Sequence, residues 1–202
     1  MSGFPIVLDG GALRVTVVGG GRVASRRVLA LLESGATVRV VALDASLEIR
    51  TLAVEGRVVL MEGAYAPGLL GESHLVIAAT NDAATNASVA AEARRLGVWV
   101  NVVDAPETGT CVIPAVHRAG DLVISVTAGG VPDAAKRIRD AIARRFDGRY
   151  ARAIDLLRDT RDVLLTRGDR ARWRASASDL IGPGFCEAVE GGTLESRVVR
   201  WR

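Results

Sequence analysis

Apolar residues along this chain alternate between short β-branched runs and longer stretches with helical spacing. Residues 15–18, all valine or threonine, read as a fully buried strand. Apolar positions at Val23, Val28, Leu29, Leu31 and Leu32 then predict an amphipathic helix opening at about Arg22 and stopped by Gly35. Residues 37–43 repeat the strand signal and 45–54 the helical one. Two more strands are expected over 57–61 and 74–79, with 63–71 between them a loop carrying a weak helical turn. An alanine-rich helix over 83–96, which Asp82 could cap and Gly97 ends, leads to a fifth strand over 98–103. Ahead of all these, residues 4–8 predict an edge strand or an arm packed on the sheet, and Asp9-Gly10-Gly11 a turn. The order β-α-β-α-β-loop-β-α-β argues for an α/β fold with a parallel sheet covered by helices.

The pattern changes after residue 104. Residues 111–117 and 122–127 predict two strands joined by Arg118-Ala119-Gly120-Asp121, a hairpin signal. Gly129-Gly130 breaks the chain, and a basic helix follows over 133–146. Residues 151–166 carry apolar positions at Ile154, Leu156, Leu157, Val163, Leu164 and Leu165, another helix. A further helix over 169–180, a turn at Pro183-Gly184 and a poorly ordered tail over 190–202 complete the reading. The expected organisation is a dinucleotide-binding domain over 1–112, a hairpin-plus-helix segment over 113–148 and a small helical domain over 149–202. The hairpin and helix could pair with a second copy of themselves.

With 202 residues, about half of them apolar, a real core is available. No apolar run is long enough to span a membrane without charges, and the N-terminus lacks the basic-then-apolar order of a signal peptide, so a cytoplasmic protein away from membranes is expected. Cys111, Cys186, His74 and His117 show no metal-ligand spacing, so no metal site is expected and the two cysteines read as free, buried thiols. Residues 1–113 hold nine basic and eleven acidic side chains, net −2. Residues 114–202 hold seventeen and twelve, net +5. The basic half could attract a polyanionic small molecule, although a solvated face has the same composition. No helix-turn-helix pattern supports a nucleic-acid partner.

Candidate chemistry begins where the first strand ends. Gly19, Gly21 and Ala24 match the G-x-G-x-x-G/A spacing of a dinucleotide-binding turn. Gly19 permits the turn, Gly21 allows close approach of a pyrophosphate, and Ala24 lets the helix pack on its strand. The amides of Arg22, Val23 and Ala24 would face the phosphates at the helix N-terminus. Past the second strand, Leu43 and Asp44 lie where an acidic residue bonds the adenosine ribose, which favours NAD; Asp44 could equally cap the next helix, and Arg22 and Arg39 leave NADP open. Ala79 and Thr80 end the fourth strand with small side chains over which a ligand can lie, and Val103 ends the fifth.

Four pieces in order, Val18–Ala24 around the glycines, Ile77-Ala78-Ala79-Thr80-Asn81-Asp82, Val100-Asn101-Val102-Val103-Asp104-Ala105-Pro106-Glu107 and Thr127-Ala128-Gly129-Gly130, resemble the precorrin-2 dehydrogenase and sirohydrochlorin ferrochelatase family, also seen as the N-terminal part of siroheme synthase. The resemblance covers roughly residues 4–165, and the Asn-Val-Val-Asp-Ala-Pro stretch is its most specific part. It implies a Rossmann-like sheet, a dimerisation segment and a small helical domain. It also implies NAD-dependent oxidation of precorrin-2 to sirohydrochlorin, insertion of ferrous iron in some members, and a homodimer. Asp104 would be the catalytic aspartate, a general base for the proton that leaves with hydride transfer; the alternative from local sequence is an Asx turn before Pro106. A dinucleotide-sensing module without chemistry, its basic tail contacting a partner, is the competing reading.

The chain departs from the family in places. Gly129-Gly130-Val131-Pro132 lacks the serine that usually follows the two glycines, Cys111 stands where an aromatic is usual, and His117 has no counterpart. His117 is expected at a surface or dimer interface. The methyltransferase domain of the fused enzymes is not in this sequence, so methyl transfer is not expected of it.

Overall fold

The computed structural model describes residues 3–201 and divides into two compact units, Met1–Ile113 and Pro114–Arg202. In the first, β1 (Arg14–Val18), α1 (Arg22–Glu33), β2 (Thr37–Ala42), α2 (Leu47–Val54), β3 (Val59–Glu62), β4 (Leu75–Ala78), α3 (Ala83–Arg95) and β5 (Trp99–Val102) follow one another. The five strands are all parallel, in the order β3-β2-β1-β4-β5. Alternation along each strand decides what faces which layer. Val15 and Val17 of β1 with Leu75 and Ile77 of β4 meet Ala24 and Val28 of α1 and Ile49 and Leu52 of α2. Val18, Val76, Ala78, Val100 and Val102 turn the other way, onto Val89, Ala90 and Ala93 of α3. Both faces are covered, which is why the strands are near-continuous apolar runs.

Two polar ties hold the sheet's underside and flank. Thr16, buried on β1, shares a 2.7 Å hydrogen bond with Ser73, whose hydroxyl is also in contact with the Leu70 carbonyl. Glu92 of α3 is buried and accepts hydrogen bonds from the Tyr65 hydroxyl and, at 2.7 Å, from the Gly68 amide. That fastens the predicted loop over 63–71. Burial and then the Glu92 carboxylate push the Tyr65 hydroxyl well above its ordinary pKa.

Residues 4–8 form neither an edge strand nor a packed arm. Phe4 is 88% exposed and Val7 86%. Pro5 lacks the amide that a ladder needs, and the run leads directly into a 3₁₀ turn, Gly10–Ala12, capped by Asp9.

In the second unit, β6 (Ala115–Ala119) and β7 (Leu122–Val126) form an antiparallel hairpin with Ala119 opposite Leu122. The two-residue loop Gly120-Asp121 has φ +57° at Gly120, as hairpin turns of this length require. Then come α4 (Pro132–Arg145), α5 (Gly148–Thr166), α6 (Arg170–Leu180), α7 (Phe185–Glu190) and α8 (Leu194–Val199). Val131 holds the N-cap position of α4 and offers no side-chain cap. The core of this unit gathers Tyr150, Ala153 and Leu157 of α5, Leu180 of α6, Ala188 and Val189 of α7, and Leu194 and Val198 of α8.

The expected tail over 190–202 instead carries the helix α8, Leu194–Val199, followed by a turn through Trp201; Arg202 lies outside the described residues. Leu194 and Val198 are a single i, i+4 pair, too short a pattern to announce a helix, yet both are buried. The Trp201 indole donates to Asp179 at 3.0 Å, and Arg197 pairs with the same carboxylate at 3.1 Å. The cysteines correct a second expectation: both are free but only half-buried.

Among the described residues no helix is long and apolar enough to cross a membrane. The helical unit instead carries exposed ion pairs with a common direction of effect. Arg149 holds Asp147 below its ordinary pKa, the Trp201 indole and then Arg197 lower Asp179, and Arg145 and then Tyr150 lower Glu190. Carboxyls depressed in the folded state stabilise it above their unfolded pKa of about 4, and that contribution disappears as pH falls through the lower folded values. Helical circular dichroism during thermal melts should show a midpoint that is flat from neutrality to about pH 5 and drops below about pH 4. Glu190→Gln should melt lower at neutral pH and lose less on acidification.

Candidate functional site: the carboxyl edge of the parallel sheet

The chain leaves β1 toward β2 and β3 on one side, then returns to β4 on the other side of β1. Connections diverge there, and a crevice opens beyond the strand ends, where sheets of this kind bind ligands. The glycine turn occupies that position. Gly19 has φ +123°, donates to the Val41 carbonyl at 2.8 Å, and a Cβ on it would stand 2.4 Å from the Ala79 carbonyl oxygen. Gly20 is packed as closely on the opposite side: its Cβ would lie 2.1 Å from the Asp44 carbonyl oxygen, and its own carbonyl accepts the Ser46 amide at 2.9 Å. Gly21 differs from both. A Cβ there would meet nothing within 4 Å. Open space at Gly21, above a helix start with no side-chain cap and no acidic residue in its first turn, is a cradle that a pyrophosphate fits.

Ala24 is fully buried in the core between α1 and the sheet, as its place in the motif requires. Arg22 is exposed at the first helical position and Val23 half-buried. Ser25 then links α1 to the start of α2 through a 2.8 Å hydroxyl contact with Ser46.

Ser46, not Asp44, caps α2: its hydroxyl accepts the Ile49 amide at 3.3 Å, and the helix begins at Leu47 rather than at residue 45. Asp44 is left free of that duty. Its side chain is 92% exposed and pairs at 3.1 Å with Arg50, which also engages Glu62 at the end of β3. Leu43 beside it is 80% exposed. Arg39, considered above for NADP, points elsewhere, its guanidinium reaching the Leu69 carbonyl at 3.5 Å.

On the β4 side, Ala79 and Thr80 are half-buried. The Thr80 peptide is clamped by buried Asn86, which accepts its amide at 3.2 Å and its hydroxyl at 2.7 Å and donates to its carbonyl at 3.0 Å. Asp82 caps α3 through the amides of Ala84 and Thr85; the Thr85 hydroxyl and amide hold its carboxyl below the usual range.

Val103 continues the edge, its amide donating to the Ala78 carbonyl at 3.0 Å. Asp104 follows it, exposed, and its carboxylate accepts no hydrogen bond among the described residues. The alternative Asx turn before Pro106 does not form; a 3₁₀ turn, Pro106–Thr108, is tied instead by the Thr108 hydroxyl to the Ala105 carbonyl. Behind it on β5, Asn101 is buried, donates to the Cys111 carbonyl at 3.2 Å, and leaves Oδ1 without a partner. Burial pushes the Cys111 thiol up to about 11, so it stays protonated and inert at neutral pH.

The predicted residues thus gather along one edge: Gly19–Ala24 in the centre, Leu43 and Asp44 on one flank, Ala79, Thr80, Val103 and Asp104 on the other. Gly20, Ser46, Arg50, Glu62 and Asn86 were not anticipated. A third consecutive glycine and a lone asparagine in an alanine-rich helix are the signals that could have found two of them. His117 lies in the other unit, half-buried, where its Nε2 donates to the Phe146 carbonyl at 2.6 Å, a hairpin-to-helix tie. Among the described residues, no three His, Cys, Asp or Glu side chains gather as metal ligands.

A parallel sheet with this glycine turn at its switch point defines a dinucleotide-binding α/β protein. The chain belongs to the family described as putative NAD(P)-binding, which matches residues 6–115. It is 38% identical over 195 residues to a siroheme synthase of Chromobacterium violaceum, covering 95% of this chain and 41% of that protein. A siroheme synthase of Pseudomonas putida strain F1 is 47% identical over 197 residues, covering 94% and 39%. The chain spans about two fifths of the length of these relatives. The solved structure of SirC, a precorrin-2 dehydrogenase, superposes with a TM-score of 0.77 over 98% of both chains at 24% identity, which establishes a shared fold.

The contacts at the glycines separate two effects. Gly20→Ala should cost about 1–3 kcal/mol of stability, since its Cβ meets backbone that cannot yield. Gly21→Ala should change stability by less than about 1 kcal/mol, the cost of a poorer helix cap, while weakening NAD binding. Paired thermal melts and NAD titrations of the two variants check this.

Proposed function

We propose that this chain oxidises precorrin-2 to sirohydrochlorin with NAD, Asp104 serving as general base, and that it works as a cytoplasmic homodimer. The observation that carries the reading is the Asp104 carboxylate: exposed, unengaged, and one residue past Val103 on the same sheet edge as the glycine turn. Relatives called siroheme synthase match over nearly the whole chain, and the NVVDAP motif resembles that of precorrin-2 dehydrogenases.

Bound NAD supplies a hydride acceptor. The Gly21 cradle and the amides of Arg22, Val23 and Ala24 would hold its pyrophosphate, with Asp44 and Leu43 on the adenosine side. Ala79, Thr80 and Val103 would line the nicotinamide side, with Asn86 fixing the Thr80 peptide. Substrate oxidation removes a hydride and a proton, and Asp104 Oδ takes the proton. A carboxylate with no internal partner is free to accept it.

The second unit supports the dimer. A two-stranded sheet is marginal alone. Val116 and Val123 share one face of the hairpin and remain half-exposed, and Val131 and Ile138 of α4 are 57% and 48% exposed. A second copy would cover this surface. Ile138→Glu should shift the protein from dimer to monomer in light scattering.

Asp104→Asn should lower precorrin-2 turnover by about 10²-fold or more while NAD affinity stays within about twofold. Retained turnover would remove Asp104 as the base. Absent turnover in the unaltered protein, with NAD still bound, would favour the sensing module instead. Ferrous iron added after oxidation, followed by absorbance, reports whether the same protein also metallates its product.

A further inference from the structure

Arg50 is the most constrained cation at the edge of the first unit. Its Nε donates to the Ala45 carbonyl at 2.9 Å, Nη2 pairs with Asp44 at 3.1 Å, and Nη1 pairs with Glu62. The three side chains come from three elements. Asp44 follows β2, Arg50 lies on α2, and Glu62 ends β3 in register with Ala42, the last residue of β2. All three therefore stand at the end of the strand pair where the adenosine ribose of a dinucleotide is read.

An arginine at this place ordinarily argues for a 2′-phosphate. Here its charge is already committed, and two carboxylates against one guanidinium leave the cluster at net −1. A 2′-phosphate would approach that negative charge and find the donors of Arg50 turned toward carboxylates. A ribose diol meets a different surface. Asp44 Oδ1 faces Arg50, and the exposed carboxylate keeps acceptor capacity for hydroxyl donors.

We propose that Asp44, Arg50 and Glu62 form a charge clamp that selects NAD over NADP, with Arg50 positioning Asp44 rather than binding phosphate and Glu62 supplying the excess negative charge. The clamp rests on dinucleotide binding at the glycine turn and not on the identity of the oxidised substrate. Glu62 is the residue that sets the sign. Without it, Arg50 and Asp44 neutralise one another; without either carboxylate, Arg50 is released as a phosphate ligand of the forked kind that arginine provides. The cluster is exposed, with side-chain accessibilities of 45%, 92% and 51% for Arg50, Asp44 and Glu62, so substitutions there leave the core untouched.

Dissociation constants for NAD⁺ and NADP⁺, measured by calorimetry on the full chain at low and moderate salt, test the clamp. The unaltered protein should bind NAD⁺ at least about tenfold more tightly than NADP⁺. Glu62→Gln should narrow that ratio by several-fold, and the Asp44→Asn, Glu62→Gln pair should invert it, with the gain in NADP⁺ binding fading as salt rises. Arg50→Gln should weaken NAD⁺ a few-fold and leave NADP⁺ the poorer ligand. Circular dichroism melts confirm that each variant is folded. A ratio unmoved by the double substitution, or a loss in Arg50→Gln confined to NADP⁺, overturns the clamp. Binding of neither nucleotide to the unaltered protein overturns the cofactor site itself, a separate result.

Discussion

Close backbone approach at the end of β1 is the constraint on which the rest of the first unit depends. Gly19 comes within contact of the β4 exit and Gly20 within contact of the β2 exit, so the turn is wedged between the two strands that flank β1. No side chain fits at either position. The wedge fixes where α1 begins, and Ala24, one turn later, seats the helix on the sheet. Because both neighbours are gripped by backbone, the edge is rigid before any ligand arrives, and the open space at Gly21 is a preformed part of the fold. The Ser25–Ser46 contact and the Ser46 cap carry the same rigidity over to α2.

Much of this was legible in the sequence because two periodicities seldom conflict here. The five strands and three long helices of the first unit lie within a few residues of their predicted places, since both sheet faces are buried and the strands had to be apolar throughout. What was hidden has physical reasons. Residues 4–8 carry a strand's composition but no ladder to join. Asp44 and Ser46 are both good cap residues two positions apart, and only the hydroxyl's contact with the Ile49 amide decides between them. α8 buries just Leu194 and Val198 and owes its order to Asp179, which lies more than a dozen residues earlier. Long-range polar partners of this kind leave no local trace.

The site shows the same division. Glycine spacing and the NVVDAP stretch marked the turn and Asp104, because backbone geometry and chemistry both restrict residue type there. The supporting residues, Asn86, Arg50 and Glu62, are ordinary polar side chains in ordinary helix and strand positions. Their importance comes from three-dimensional neighbours: the Thr80 peptide for Asn86, the β2 exit for Arg50 and Glu62.

The two ends of the sheet edge are built on opposite electrostatic plans, and that contrast bears on the chemistry. Asp44 is held by a guanidinium, so its charge is committed and oriented, suited to reading hydroxyls whose protons stay in place. Asp104 has no hydrogen-bonding partner among the described residues. On the function proposed above, the same residue type would serve binding at one flank and proton transfer at the other, the difference being set by the partners that each flank of the fold provides.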